Sequence, residues 1–293
     1  EMPKGGKLSL DMMYKTAGIQ INYDYTSEKD FEKKFKIGNY LAPLTIALFA
    51  NSPFNENKLS GFLSYRGKVW QETHRGGIMP ISFEKVNFEK YIDHAINYPI
   101  LFLKKNEKYY SPNGQKFYDY LKGNLSFLKG EKPSLKDFEN HLGTIFTEIR
   151  LKKVIEFRSL DTCNFECICN GPSFFTGLIY GSLDETYEII KNWKKEEVMD
   201  AYLNAPKQGL NTLLKNKKLI DWAKIFLDIS KKGLDKRNEL NKSGKNETIY
   251  LKHIEEIIKN KKTRAEILIE KFNKTKNLNF LANHDENFSY SGF

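Results

Sequence analysis

The sequence predicts a globular fold that combines strands in its first half with helices in its last third. Residues 16–25 alternate between polar and apolar side chains, which is typical of a strand with one buried face. Val154, Ile155 and Phe157 favour a second strand. The pattern of residues 182–276 is largely helical. With 293 residues, of which 40% are hydrophobic, the chain can bury a sizeable core in one large domain or two smaller ones.

The first predicted strand has one apolar row and one polar row, because successive side chains of a strand point to opposite faces. The apolar row consists of Ile19, Ile21, Tyr23 and Tyr25. The polar row consists of Gln20, Asn22 and Asp24. Two carboxamides and a carboxylate in register either face solvent at a sheet edge or line a polar cavity, and the sequence leaves both open.

Helical and hairpin signals follow the first strand. Ser27 is a predicted N-cap with acidic residues after it, and the helix should run to about Asn39. Residues 41–49 are strongly apolar and predict a further, buried helix. Residues 100–103 predict a short buried strand, and residues 108–114 complete a hairpin with it.

A basic loop is predicted between residues 61 and 79. Arg66 and Trp70 are four residues apart, so they would be neighbours on a helical turn. Arg75 and other basic residues stand near glycines, which let backbone N–H groups approach an anion. The loop therefore predicts a receptor for carboxylate or phosphate, with a basic surface loop around one partly buried Trp as the alternative.

The second predicted strand carries a charged pair. Glu156 and Arg158 share one face, while Ile155 and Phe157 point the other way into a core. A carboxylate and a guanidinium two residues apart can bind a metal ion and the phosphate that the metal bridges. A structural ion pair at the end of a strand is the alternative.

Neither the cysteines nor His141 indicates a metal site. Cys163, Cys167 and Cys169 are three thiols in one short stretch, too few for a closed zinc site without a further ligand. Their odd number argues against a disulfide scaffold and predicts three reduced thiols. His141 is predicted to be a polar member of a packed helix and not a ligand.

The last third predicts a series of helices. Thr263 and Glu266 fit a capping box at the start of the final one. The predicted helices are 185–193, 195–203, 219–234, 249–258 and 265–272.

The net charge of +10 and the pI near 9.2 raise the question of a polyanionic partner. The lysines are spread widely, however, and the sequence lacks zinc-finger spacing and the aromatic motif of RNA-recognition domains. We therefore expect solvated lysine-rich helix faces and no nucleic-acid partner.

No apolar run approaches the roughly 20 residues of a membrane span. The first residues lack the apolar stretch of a signal peptide, so we expect a cytoplasmic protein without membrane contact.

The common nucleotide and zinc fingerprints are absent. The sequence contains no Gly-x-x-x-x-Gly-Lys-Ser/Thr, no Gly-x-Gly-x-x-Gly and no His-Glu-x-x-His. An ATP-using protein of this sequence would hold its nucleotide through metal-bound carboxylates and arginines.

Eight short motifs, in order between residues 2 and 185, together resemble the glutamate–cysteine ligases of the proteobacterial and plant type. The motifs include Leu-Asp-Met-Met at 10–13, Gly-Phe-Leu-Ser-Tyr-Arg at 61–66 and Ile-Glu-Phe-Arg at 155–158. The others lie at 16–24, 47–54, 91–95, 141–152 and 177–180. Each motif is weak alone, but the ordered set is specific, and the helical tail also looks like the C-terminal part of that family.

The resemblance implies an α+β fold, with an antiparallel sheet of the glutamine-synthetase type flanked by helices. It implies a catalytic core over residues 1–185, incomplete at its N-terminus, and a helical C-terminal region over residues 186–293. The family's amino-terminal segment, which supplies several acidic metal ligands, has no counterpart in this sequence. We therefore expect the chain to be a truncated copy or the C-terminal portion of a longer ligase.

The resemblance also implies the chemistry. The family uses ATP and magnesium to convert the glutamate γ-carboxylate into γ-glutamyl phosphate, and the cysteine amine then displaces phosphate in the first step of glutathione synthesis. Phosphoryl transfer to a carboxylate depends on charge neutralisation and in-line positioning. Glutamate and cysteine are the expected small-molecule partners, and a homodimer is a further expectation. A ligase with another amine acceptor and a fragment without catalytic activity are the alternatives.

The resemblance assigns roles to individual residues. Glu156 and Arg158 are the expected catalytic residues, Glu156 as a metal ligand and Arg158 as a contact to the transferred phosphate. Gln20 is the second expected metal ligand. The expected substrate-binding residues are Arg66, Trp70, Arg75 and Asn22, with Arg66 pairing with a substrate carboxylate. The stretch after Trp70 is shorter than in the family, and Leu101 stands where an aromatic residue is usual, so the amine acceptor is less specified than glutamate activation.

Overall fold

A computed structural model describes residues 2–282, apart from the side chains of residues 165 and 166, as a mixture of helices and small antiparallel sheets. The helices up to residue 143 are α1 (Ser9–Lys15), α2 (Glu28–Leu48), α3 (Tyr65–Gln71), α4 (Phe88–Ile96), α5 (Phe117–Leu121) and α6 (Leu135–Gly143). The later helices are α7 (Phe165–Ile168), α8 (Asn170–Thr176), α9 (Leu183–Ile190), α10 (Lys195–Gln208), α11 (Leu219–Arg237), α12 (Lys252–Asn260), α13 (Arg264–Thr275) and α14 (Asn279–Ala282). A π-helix, Gly177–Gly181, joins α8 to α9, and short 3₁₀ helices occur at Met2–Lys4, Pro80–Phe83, Gly209–Asn211 and Glu247–Leu251.

The strands form one three-stranded sheet and three two-stranded hairpins. The strands are β1 (Gly18–Tyr23), β2 (Phe54–Asn55), β3 (Lys58–Leu59), β4 (Leu103–Lys105), β5 (Lys108–Tyr110), β6 (Ile149–Leu151), β7 (Ile155–Asp161), β8 (Leu213–Leu214) and β9 (Lys217–Lys218). The larger sheet has the order β1-β7-β6 and is antiparallel throughout. The predicted mixed α+β character is thus confirmed, whereas the likeness of the sheet to glutamine synthetase stays a prediction.

A bulge interrupts the pairing of β1 with β7. Ile19 pairs with Leu160 and Ile21 pairs with Phe157, so β7 has one more residue than β1 across this stretch. A β-bulge bends its strand and redirects the side chains beside it. The bulge lies at Arg158, one of the residues that the sequence singles out.

The two faces of the sheet have the polarity that alternation predicts. Ile19, Ile21 and Tyr23 are buried, whereas Gln20 and Asn22 are exposed. On the buried face α2 covers β6 and β7, and Gly38 of this helix lies so close that a Cβ there would stand 2.5 Å from Ile149 Cδ1. Helix α2 therefore closes the core on one side of the sheet and leaves the other side to polar groups.

Helix α2 is longer than predicted. Ser27 caps it as expected, since its side chain accepts a hydrogen bond from the backbone N–H of Asp30 at 3.1 Å. The predicted second helix at 41–49 is not separate but continues α2 to Leu48 with Pro43 inside it. Residues 37–48 are all buried, so packing on every side maintains the helix through the proline.

The π-helix packs directly against the backbone of α11. A Cβ added at Gly181 would lie 2.0 Å from the carbonyl oxygen of Gly233, and one at Gly177 would lie 2.2 Å from that of Ser230. A Cβ at Gly233 would in turn meet the oxygen of Gly177 at 2.0 Å. Only residues without a side chain allow the two segments to approach this closely.

One main hydrophobic core spans both parts of the chain, from β1 and α2 to α11 and α12. A second, smaller core consists of Ile100, Leu103, Phe117, Tyr120 and Leu125 under the hairpin of β4 and β5. The division into parts 1–185 and 186–293 stays a prediction, and residues 283–293 lie outside the described residues. Within the described part of the chain, none of the helices combines the length and apolar character needed to cross a membrane.

Three local predictions need correction. Part of the predicted loop at 61–79 forms α3, because Ser64 caps this helix by accepting a hydrogen bond from the backbone N–H of Gly67. The first strand of the hairpin lies at Leu103–Lys105 and not at 100–103. Cys163 and Cys167 are joined in a disulfide, so the prediction of three reduced thiols is wrong, and Cys169 alone is free among the three.

Candidate active site

The polar face of the sheet brings three strands together at Glu156. This residue pairs with Asn22 of β1 on one side and with Arg150 of β6 on the other. Side chains directly opposite each other on antiparallel strands are close enough to interact. The register therefore gathers Glu156, Arg150 and Asn22 into one row across the sheet.

Glu156 is buried among three cations. Its Oε2 accepts a hydrogen bond from Arg150 Nε at 2.5 Å, and its Oε1 lies 2.8 Å from Lys152 Nζ. Arg158 Nη1 is 3.4 Å from Oε2. Burial raises the pKa of Glu156, but hydrogen bonds and charges from Arg150 and Lys152 outweigh it, so the net pKa is lowered. The carboxylate is consequently ionised at neutral pH.

Arg158 connects Glu156 with the exposed polar row of β1. Its Nη1 donates to Gln20 Oε1 at 2.6 Å, and its guanidinium lies over the Trp70 ring at 5.2 Å from the centroid. Burial and the neighbouring Arg150 charge lower the pKa of Arg158 to about 10. Arg158 therefore keeps its positive charge at neutral pH, where it can neutralise an anion.

Arg66 lies on the Trp70 ring as well. Its guanidinium is 5.1 Å from the ring centroid, and its Nη2 donates to the backbone carbonyl of Arg158. Its Nη1 is 3.9 Å from Asp161 Oδ1. A Cβ at Gly18 would lie 2.5 Å from Arg66 Nε, so the glycine permits the arginine to lie against β1. The contact of Arg66 with Trp70 is the one that their four-residue spacing predicts, and the structure adds Arg158 to this pair.

Glu148 is a further buried carboxylate beside these arginines. It is fully buried, and Tyr202 of α10 donates its hydroxyl hydrogen to Glu148 Oε1 at 2.7 Å. Burial raises the pKa of Glu148, while the charges of Arg66 and Arg158 and the hydrogen bond from Tyr202 oppose this rise. The site thus contains an acid whose environment differs from that of Glu156.

Arg75 donates to backbone and side-chain oxygens outside this group, and its predicted role in binding an anion stays a prediction. Its Nε donates to Thr144 O and its Nη2 to Thr144 Oγ1, both at 2.8 Å. Its Nη1 donates to Pro99 O at 2.8 Å, and the guanidinium lies over the Tyr98 ring. These contacts give Arg75 a structural role in holding the loop after α3 to the segment after α6.

Glu156 and Gln20 offer oxygen donors of the kind that Mg²⁺ prefers, and a metal bound there would share the Glu156 carboxylate with Arg150 and Lys152. Mg²⁺ is commonly held by one or two carboxylates together with substrate phosphates. Glu156 is an ionised carboxylate, and Gln20 presents an exposed carboxamide oxygen that already accepts a hydrogen bond from Arg158. Among the described side chains of residues 2–164 and 167–282, no three His, Cys, Asp or Glu residues are grouped closely enough to hold a metal ion by themselves. Further ligands would therefore be phosphate oxygens or groups outside these residues.

Sequence reasoning missed four residues of the site: Glu148, Arg150, Lys152 and Tyr202. The first three alternate with apolar residues before β7, so the period of two that placed Glu156 and Arg158 on one face also applied to them. Tyr202 lies 54 residues beyond its partner and carries no local signal.

Comparison with known proteins identifies the family. The family model described as glutamate-cysteine ligase family 2 matches residues 1–284. The chain belongs to the glutamate–cysteine ligase family. Among its relatives, glutamate–cysteine ligase, chloroplastic, of Solanum lycopersicum is 39% identical over 274 residues, or 92% of this chain and 51% of the relative. Glutamate–cysteine ligase B, chloroplastic, of Oryza sativa subsp. japonica is 38% identical over 273 residues, or 92% of this chain and 54% of the relative.

A third member of the glutamate–cysteine ligase family, the chloroplastic ligase of Arabidopsis thaliana, is 39% identical over 277 residues. The match covers 93% of this chain and 52% of that relative. The chain therefore spans about half the length of the curated relatives it matches.

Proposed function

We propose that this chain carries the glutamate-activating part of an ATP-dependent glutamate–cysteine ligase. The observation that carries the proposal is the group of Arg66, Trp70 and Arg158 beside the ionised Glu156. Two guanidinium groups on one indole ring provide a buried, positively charged surface for carboxylate and phosphate groups. Membership of the ligase family supports the same chemistry.

In the first proposed step, a γ-carboxylate oxygen of glutamate attacks the terminal phosphorus of ATP. A new O–P bond forms, the bond from that phosphorus to the bridging oxygen breaks, and ADP leaves with the electron pair. Arg158 neutralises the transferred phosphate in this proposal. Glu156, which also accepts a hydrogen bond from Arg150, holds Arg158 through an ion pair. Arg66, lying on the Trp70 ring, holds the α-carboxylate of glutamate.

In the second proposed step, the cysteine amine attacks the acyl carbon of γ-glutamyl phosphate. A C–N bond forms, the C–O bond to phosphate breaks, inorganic phosphate leaves and the nitrogen loses a proton. Bound magnesium would supply charge neutralisation at the phosphate oxygens, with Glu156 and Gln20 as the residues that would hold it. Asn22, next to Glu156 in the register, is the remaining proposed substrate contact.

Two further candidates have their own support. A ligase of the same fold with another amine acceptor is supported by Leu101, which replaces an aromatic side chain expected at the acceptor pocket. A chain that holds only part of the active site is supported by its coverage of about half the length of its relatives. Both candidates leave the glutamate subsite unchanged and differ in what completes it.

The test is ADP release by the purified chain with ATP, magnesium and glutamate, measured with cysteine, with 2-aminobutyrate and without an added amine. Release that requires glutamate and increases with cysteine supports the leading proposal. Equal stimulation by both amines favours the relaxed acceptor. Absence of glutamate-dependent release, in a chain that still binds glutamate by calorimetry, favours the partial site and overturns the proposal of a complete ligase.

A further inference from the structure

Four buried polar atoms on Trp70, on the two arginines that stack on it and on Glu148 have no hydrogen-bond partner among the described residues. They are Arg66 Nη1, Trp70 Nε1, Arg158 Nε and Glu148 Oε2. The first three are donors, and the fourth is an acceptor on a fully buried side chain. A buried polar atom without a partner costs about 1–3 kcal/mol, so an ordered water or a ligand that supplies partners to these atoms would be stabilised. Glu148 is close enough to Arg66 and Arg158 for both charges to act on its carboxyl group.

The chemistry of these atoms defines the complementary ligand. Donors on Arg66 and Trp70 require an acceptor such as a carboxylate, and the free oxygen of Glu148 requires a donor, best a cation. An α-amino acid presents a carboxylate and an ammonium group on the same carbon atom. One such head group can therefore satisfy both kinds of atom at once.

The other two carboxylates near this position already have a protein partner at each oxygen. Asp161 accepts hydrogen bonds from the Asn51 backbone N–H at 2.9 Å, Ser52 Oγ at 2.7 Å and Ser64 Oγ at 2.8 Å. Glu156 has both oxygens in contact with Arg150 and Lys152. Of these three acids, Glu148 alone has an oxygen without a hydrogen-bond partner among the described residues.

We propose that Glu148 binds the α-ammonium group of the amino-acid substrate, and that Tyr202 is the positioning residue that orients Glu148 for this contact. The inference rests on the proposed function, because it assigns the ammonium of the same glutamate whose carboxylate Arg66 holds. The helical C-terminal region thus contributes to substrate selection through α10.

Tyr202 suits this role for two reasons. Its hydroxyl donates to Oε1 of Glu148, which leaves Oε2 as the oxygen that can still accept a hydrogen bond. Burial and the adjacent Glu148 charge raise the pKa of Tyr202 well above its ordinary value, so the hydroxyl stays a donor at physiological pH. The backbone of Glu148 is fixed as well, because its N–H donates to Gly77 O and its carbonyl accepts from the Arg158 N–H, both at 2.9 Å.

The test compares two ligands that differ in the ammonium group. Calorimetric affinities of the full chain are measured for L-glutamate and for glutarate, which has both carboxylates but no amine. The wild-type chain should bind L-glutamate about 10- to 100-fold more tightly than glutarate, as expected for a buried charge-assisted contact. In Glu148→Gln this ratio should fall to within about twofold, while the glutarate affinity stays within about twofold of wild type. A purely structural role would weaken both ligands alike.

Two more variants keep the test decisive. Tyr202→Phe removes one hydroxyl and should lower the ratio of L-glutamate affinity to glutarate affinity about threefold. This variant decides the question if a thermal melt shows that Glu148→Gln does not fold. Tyr23→Phe is the matched control, because this buried hydroxyl donates to Pro172 O at 2.8 Å on the core side of the sheet. It should leave the ratio unchanged.

The possible outcomes distinguish failure of the Glu148–ammonium contact from failure of glutamate binding itself. A wild-type ratio that persists in Glu148→Gln, or in Tyr202→Phe where the first variant is unfolded, overturns the role of Glu148 and leaves glutamate binding standing. Equal wild-type affinities for the two ligands overturn it also. A wild-type chain that binds neither ligand removes the proposed glutamate site, and the ammonium contact with it.

Discussion

Arg66 and Arg75 are nine residues apart, buried to a similar degree and each stacked on an aromatic ring, yet their surroundings differ. The guanidinium of Arg75 donates to Thr144 and Pro99 through Nε, Nη1 and Nη2. Arg66 keeps Nη1 without a hydrogen bond among the described residues and shares the Trp70 ring with Arg158. Burial and charge are therefore the same in both regions, and hydrogen-bonding capacity that is left unused distinguishes the candidate site from the scaffold.

The largest effect on this comparison should come from Glu156→Gln. Loss of the carboxylate leaves Arg150, Lys152 and Arg158 without their shared counter-charge and removes the expected metal ligand. We expect glutamate-dependent ADP release to fall on the order of a thousandfold. Glu139→Gln, at a half-exposed carboxylate paired with Lys136 and Lys153 at 3.5 Å, is the control and should keep wild-type release. Near-normal turnover in Glu156→Gln would disprove the metal assignment.

Arg75→Ala should act on stability instead. The substitution leaves the carbonyls of Thr144 and Pro99 without their charged donor, which should lower the free energy of unfolding by about 3 kcal/mol. Urea denaturation measures this change, and Lys90→Ala, at an exposed ion pair with Glu84, should stay within about 0.5 kcal/mol of wild type. An unchanged stability with weaker glutamate binding would return Arg75 to the site.

His141 lies near Arg75, and its burial predicts that the folding stability depends on pH. Its ring stacks on Phe117, and its Nε2 is 2.8 Å from Ala95 O. Burial, opposed by this hydrogen bond, lowers the pKa of His141 to about 4 from an ordinary value of 6.5. Between pH 4 and pH 6.5 the histidine is protonated in the unfolded chain but neutral in the folded chain. The contribution of the neutral histidine to folding stability is therefore complete above pH 6.5 and is lost as the pH falls toward 4.

The measurement is the free energy of unfolding of wild type and His141→Gln at pH 7 and pH 5. Wild type should lose about 2 kcal/mol more than the variant over this interval. Glutamine keeps an N–H donor for Ala95 O, so the variant tests titration and not the hydrogen bond alone. Parallel losses in the two proteins would mean that His141 does not titrate in this range.

Arg66→Ala should give the smallest effect and the most specific one. Loss of the guanidinium removes the proposed partner of the glutamate α-carboxylate, so KM for glutamate should rise about tenfold with a smaller change in kcat. Steady-state ADP release at varied glutamate and at varied ATP separates the two substrates. An equal rise of both KM values would indicate general distortion around Asp161, which lies 3.9 Å from Arg66.

Local chemistry made part of the fold predictable. The Ser27 cap, the capping box of Thr263 with Glu266, and the alternation of Ile19, Gln20 and Ile21 depend on neighbours within a few residues, and the structure confirms all three. The long helix α2 was divided in the prediction because residues around Pro43 look like a break in sequence. Burial on all sides, a tertiary property, maintains it.

The candidate site was predictable where strand alternation sets the face or where helical spacing makes two residues neighbours, as with Arg66 and Trp70. Alternation placed Glu156 with Arg158, and the structure adds Arg150 and Lys152 to them. The difference between Arg66 and Arg75 depends on Thr144, 69 residues from Arg75, and no local pattern contains it. The pairing of Glu148 with Tyr202 is likewise a product of how α10 packs against α2 and α3.

The contact between the π-helix and α11 limits how the chain can vary. At Gly181 and Gly233 even a methyl group would meet a backbone oxygen at 2.0 Å, and neither oxygen can rotate away as a side chain would. In a saturation library, these two positions should therefore tolerate fewer substitutions than any other position of the helical region. They should tolerate fewer even than its buried leucines, which accept other apolar residues of similar volume. Sequence variation in α11 should then occur mainly on the face that does not contact the π-helix.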